Sequence, residues 1–130
     1  MTTPARKTQL AVTHQISRTV NYNDAGITAG VQIGTLPAGA VLKETMIITD
    51  TAFNGTTSVT LSVGTTATGT DLINATDVRT AAARVDTVVP VAKAGPLAAD
   101  QAYYASVAFG GTTGTAGRST IVITYHPNIG

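Results

Sequence analysis

Few side chains in this sequence could do chemistry, and those few are scattered. His14 and His126 are the only imidazoles available as a general base. Nucleophilic catalysis needs a Ser, Thr or Cys beside such a base, with a third group to orient it. The chain has no cysteine, and neither histidine sits in a nucleophile-elbow pattern. Paired-carboxylate catalysis would have to draw on Glu44 and on Asp24, Asp50, Asp71, Asp77, Asp86 and Asp100. Most of these stand beside turn formers, where Asp bonds to backbone N–H groups. Asp71 and Asp77, with loop carbonyls, are a candidate Ca²⁺ pair, yet no loop carries the spaced acid–Gly–Glu order of an EF-hand. Zinc has no ligand set. The run Gly110-Gly111-Thr112-Thr113-Gly114 joins two expected strands and opens no helix, so it is not read as a phosphate cradle. The expectation is a protein that is not an enzyme and holds no cofactor and no metal.

Recognition chemistry is equally sparse. Net charge is +1, too small for a field that attracts nucleic acid. Arg6, Lys7 and Arg18 precede the first acid, Asp24, so the start is mildly basic and the body mildly acidic. These three bases are the candidate partner-contacting residues. Exposed ion pairs contribute at most about 1 kcal/mol each, so they would fix register more than supply affinity. Sugar platforms use exposed aromatics. Here there are four Tyr, two Phe and no Trp. Tyr103 and Tyr104 are neighbours and so face opposite sides of a strand, one in the core and one at the surface.

The elements that would position these groups are strands. About a fifth of the chain is Thr, well above the usual share, and charged residues are only 12%. β-Branched Thr and Val favour pleated, half-buried surfaces. At 130 residues a single domain is expected, with enough core to fold without disulfides. Residues 1–10 read as an extended arm, and no apolar run has signal-peptide or membrane-span length. The absence of cysteine fits a reducing cytosol.

Strands are expected at Ala11–Asn21, Ile27–Thr35 and Ala40–Thr51, the last with an apolar centre, Met46-Ile47-Ile48. Leu36-Pro37-Ala38-Gly39 reads as a type I turn, and Asn54-Gly55 as a hairpin turn. The next strand alternates cleanly, with Val59, Leu61 and Val63 on one side and Ser58, Thr60 and Ser62 on the other. Asp71–Ala83 is the one helix candidate, capped by Thr70 or Asp71. Strands follow at Arg84–Val89, Ala102–Phe109 and Arg118–His126. This spacing predicts an all-β antiparallel sandwich of jelly-roll or Greek-key topology, with at most one short helix. Seven strands are clear, and the arm would supply an eighth. Two segments are expected: an extended arm, 1–17, and one sandwich domain, 18–130.

Several stretches resemble small structural proteins of tailed bacteriophages. They are Leu36-Pro37-Ala38-Gly39-Ala40-Val41, Thr51-Ala52-Phe53-Asn54, Val59-Thr60-Leu61-Ser62-Val63-Gly64, the segment from Gly69 to Val78, and Thr115-Ala116-Gly117-Arg118 leading into Ile121-Val122-Ile123-Thr124-Tyr125. The likeness spans about residues 30–126. That group includes jelly-roll decoration (cement) proteins of capsids and modules of head or tail fibres. It implies a homo-oligomeric sandwich, often a trimer, made in the host cytoplasm and placed on the virion surface. Its partners would be the major capsid protein and further copies of itself, with no nucleic acid and no membrane. No catalytic residues carry over, and the arm, Met1–Ser17, lies outside the likeness. The alternative reading is a fibre or receptor-binding module for a host surface glycan. A lone sandwich enzyme or lectin is disfavoured by the scarcity of His, Glu and Trp.

Overall fold

The computed structural model describes residues 13–55, 57–79, 83–93, 95–112 and 114–127. They form eight strands: β1 (His14–Asn21), β2 (Val31–Leu36), β3 (Val41–Thr51), β4 (Ser58–Gly64), β5 (Ile73–Asp77), β6 (Ala83–Thr87), β7 (Gln101–Gly110) and β8 (Arg118–His126). One 3-10 turn, Val91–Lys93, interrupts them. The strands make two four-stranded sheets, ordered β1-β8-β3-β6 and β2-β7-β4-β5, with every pairing antiparallel. Strand 1 meets 8, 2 meets 7, 3 meets 6 and 4 meets 5. This nested order, split over two sheets, is the eight-stranded jelly roll. The expected sandwich class and topology are therefore what the chain adopts.

Between the sheets lies a single apolar layer. Val20, Ile47, Ile121 and Ile123 from the first sheet meet Val59, Leu61, Val63, Tyr103 and Val107 from the second, all at most 1% exposed. Phe53, Leu72 and Val78 close the ends. The first sheet also buries hydroxyls. Thr49 Oγ1 and Ser119 Oγ share a hydrogen bond of 2.8 Å, and Thr45 Oγ1 donates to the Thr87 carbonyl at 3.3 Å. Each buried hydroxyl is thus satisfied, which removes a cost of about 1–3 kcal/mol per group.

Four expectations need correction. Asp71–Ala83 does not contain the expected helix: Ile73–Asp77 is strand β5. Asp71 does not cap a helix. Its carboxylate accepts bonds from Thr65 N–H (2.9 Å) and Thr65 Oγ1 (2.7 Å) across the loop. The β-branched Ile73 and Thr76 then pair along β4, and Leu72 and Val78 N–H groups bond to Val63 and Val59 carbonyls. The eighth strand is this segment; residues 14–17 of the expected arm belong to β1, and residues 1–12 lie outside the described residues.

Second, β2 begins at Val31, four residues later than expected. Residues before it coil into turns, with Ala29 and Gly30 N–H both bonded to the Gly26 carbonyl. Third, Asn54-Gly55 turns no hairpin, because β3 and β4 lie in different sheets. Asn54 instead clamps the neighbouring loop: its Oδ1 accepts from Thr115 N–H (2.7 Å) and Ala116 N–H (2.8 Å). Fourth, the turn before β3 closes from Ala40 N–H to the Pro37 carbonyl, 3.2 Å. Gly39 is then its third residue, at φ 85°, the positive value of a type II turn.

Candidate interaction surfaces

The residues singled out for chemistry do not converge. The His14 ring lies against Tyr125, with centroids 5.8 Å apart, at the edge of the first sheet. The His126 Nδ1 is buried with no hydrogen-bond partner. Asp71 and Asp77 stand at opposite ends of β5, each with its own partners. Lys93 Nζ approaches Asp71 at 3.2 Å, while Arg79 N–H donates to Asp77 at 2.9 Å. Burial raises the Asp71 carboxyl, but the bonds from Thr65 and Lys93 together outweigh it and hold the group below its usual value. Among the described residues no group of three or more His, Cys, Asp or Glu is arranged to hold a metal. No described helix is long and apolar enough to cross a membrane.

Of the three candidate bases, Arg6 and Lys7 lie outside the described residues. Arg18 pairs with Ile121 in the ladder, so it points to the inner side of β1 at the sandwich edge. Its Nη1 donates to the Gln32 carbonyl of β2 at 3.0 Å. It thereby bridges the two sheets where no other strand closes the gap. Tyr103 and Tyr104 divide as expected: Tyr103 is 1% exposed in the core, and burial pushes its hydroxyl up to about 12. Tyr104 is half-buried on the outer side.

What remains is the two outer faces. That of the second sheet holds an open trough of about 560 Å³. Its floor is Thr60 and Ser62 of β4 with Ser106 of β7, and its walls carry Thr28, Thr68 and Thr70. None of its lining side chains is charged. Backbone geometry shapes it. Gly30, at φ 106°, packs directly on the Ala67 backbone, so the loops bearing Thr28 and Thr68 meet. Ala75 is held at φ 50°, with its N–H bonded to Ser62 Oγ at 3.0 Å, and this kinks β5 along the wall.

The outer face of the first sheet is built otherwise. From Thr45 to Thr49, β3 pairs without a shift with both β8 and β6. Met46 is opposite Val122 and Asp86, and Ile48 is opposite Thr120 and Arg84. Met46, Ile48 and Val122 form an apolar strip, with Ile48 38% exposed. Ion pairs flank it: Arg84 Nε to Asp86 Oδ1 at 2.9 Å, and Arg118 Nε to Asp50 Oδ2 at 2.7 Å. The Arg118 guanidinium holds the Asp50 carboxyl below its usual range, and Asp86 raises the Arg84 guanidinium further. An apolar centre with a polar rim is the anatomy of a protein interface. The unbroken apolar run Met46-Ile47-Ile48 marks both sides of β3 as apolar in the sequence, but the Arg84 and Asp86 flank depends on β6 pairing across a long connection.

No family model matches this sequence, and no curated protein matches it. The fold recurs in solved phage capsids. A chain in the capsid of Ralstonia phage GP4 is similar over 100% of this chain and 93% of its own, at 20% identity and a TM-score of 0.69. A chain in the capsid asymmetric unit of cyanophage Pam1 matches over 88% and 84%, at 20% identity and 0.62. A third, in the acid-stable capsid of Helicobacter pylori bacteriophage KHP30, matches over 88% and 86%, at 13% identity and 0.59. The chain thus shares its fold, over most of both lengths, with proteins found in phage capsids.

Proposed function

We propose that this protein is a bacteriophage virion structural protein that decorates and cements the capsid. The recurrence of the whole jelly roll in chains of phage capsids carries the reading. It agrees with a chain whose described Asp and Arg side chains are tied into separate bonds, and whose two broad faces offer contact surface. The mechanism is multivalent bridging. Each copy makes modest contacts with the major capsid protein and with its neighbours, and linkage raises avidity by orders of magnitude without any strong single contact. Small Thr, Ser and Ala side chains suit such contacts because ordering them costs little conformational entropy.

The N-terminal segment bearing Arg6 and Lys7 is the proposed tie to the shell or to a neighbour. It leads into β1, the edge strand of its sheet among the described residues, and added backbone pairing along that edge is the proposed contact. Arg18 then serves as the anchor that keeps β1 on the sandwich. The test mixes purified protein with expanded shells that lack it. Binding at fixed stoichiometry, with greater resistance to heat or low salt, is expected. Removing residues 1–12 should abolish attachment and leave the circular dichroism spectrum unchanged. Full-length protein that ignores shells and binds host cells overturns the reading in favour of a glycan-recognising fibre module.

A further inference from the structure

We infer that the outer face of the β1-β8-β3-β6 sheet is a self-association surface, on which a second copy docks about a two-fold axis lying between the Met46 and Ile48 rungs. The ladder register carries the argument. On the Met46 rung the neighbour in β6 is the acid Asp86; on the Ile48 rung it is the base Arg84. An axis in the plane of the face, running across the strands between these rungs, exchanges them. Asp86 of one copy then faces Arg84 of the other, twice. Met46 of one copy lies over Ile48 of the other. Val122 and Thr120 exchange in the same way, because they occupy those rungs in β8. One rung further out, Glu44 comes over Asp50 in the same strand of the second copy, and Arg118, paired with Asp50, lies beside them on β8.

Arg84 and Asp86, the charges on the two rungs nearest the axis, thus each meet an opposite charge under one operation. A two-fold contact demands this kind of self-complementarity, since one patch must serve as both partners. A shell protein would need its own matching pattern, whereas a second copy has it by construction. The size is adequate. Four strands spaced about 4.8 Å apart, averaging roughly 27 Å in length, present about 500 Å² of projected plane. Side-chain relief brings the accessible area near the roughly 800 Å² per partner of a standard interface. The opposite face carries an uncharged trough at its centre. The contact is two-fold, where the phage resemblance leads one to expect trimers.

The test is sedimentation equilibrium of the purified full chain across the micromolar range, which needs no shells and so stands apart from the capsid reading. A reversible dimer is expected. Arg84→Asp puts two acids on each rim and should weaken dimerisation about tenfold or more. Adding Asp86→Arg to that variant swaps the charges, restores complementarity and should recover the wild-type constant. Ile48→Asp should leave only monomer, and Ala108→Asp on the other face should change nothing. Circular dichroism checks that each variant is folded. A wild-type monomer overturns the inference, and so does a trimer, or a dimer indifferent to Arg84→Asp and Ile48→Asp. Loss of shell binding in these variants of a monomeric protein would assign the face to the shell instead.

Discussion

The two outer faces of the sandwich use opposite means to acquire their shape. The face of the first sheet is an uninterrupted ladder around Thr45–Thr49, and its character comes from side chains: Met46, Ile48, Val122 and the flanking ion pairs. The face of the second sheet is shaped by backbone. Gly30 at positive φ, the kink at Ala75 and the Asp71 clasp on Thr65 hold loops around a floor of hydroxyls. The lesson is one of tolerance. A flat ladder accepts new surface side chains at little cost, so its contacts can be tuned. A face made by strained or crowded backbone cannot change without disturbing the fold.

The sharpest way to break this contrast is Gly30→Ala. The new methyl would meet the Ala67 backbone, and the residue would be forced to hold φ 106°. A loss of about 3 kcal/mol is expected from overpacking and backbone strain together, read by chemical denaturation. Arg84→Asp or Ile48→Asp on the other face should cost under about 1 kcal/mol by the same measurement. Equal costs on both faces would remove the contrast.

Alkaline titration tests the core beneath the second sheet. Tyr103 has its hydroxyl raised to about 12 from an unfolded value near 10. The folded state therefore holds a proton that the unfolded chain releases. This stabilisation is complete below pH 10 and is lost as pH rises toward 12, on the order of 2 kcal/mol. Tyr103→Phe should flatten the decline in stability over that window.

Asp71→Asn comes next. It removes the charge from the clasp to Thr65 and Lys93, and about 1 kcal/mol should be lost at neutral pH, given partial exposure. The Asp71 carboxyl is depressed in the fold, so its contribution is present above the ordinary value of 3.8 and disappears as pH falls through the lower folded value. The variant should show a weaker acid dependence of melting temperature than the wild type. The smallest effect is a gain. Ala75→Gly relieves a left-handed Ala and should add about 0.5 kcal/mol, after the entropy that glycine costs in the unfolded chain. A loss there would mean that the β5 kink is not strained.

Much of this architecture was legible in the chain. The alternation of Val59, Leu61 and Val63 against Ser58, Thr60 and Ser62 set the inner and outer sides of β4, and the structure keeps that division. β8 was bounded at the same residues, Arg118–His126, that it occupies. The failures have a common cause. Asp71 followed by Leu72 and Ile73 reads locally as a capped helix, but the carboxylate finds Thr65 across a loop, and the β4 edge offers a full row of backbone partners. Asn54-Gly55 has hairpin chemistry, yet its side chain is spent on Thr115 and Ala116, more than sixty residues away. Arg18 reads as a surface base, and ladder parity turns it inward to Gln32.

By itself, then, the sequence determined the all-β class, the strands with clean alternation and the poverty of reactive groups, because those depend on side-chain period and residue type. The tertiary structure alone decided which strands share a sheet, and hence that Arg84 and Asp86 flank Met46 and Ile48, while Thr28 and Thr68 line one trough with Ser62. Such neighbours are brought together by antiparallel pairing between segments far apart in the chain. Local propensity carries no record of that register, and only the burial of one shared core selects it.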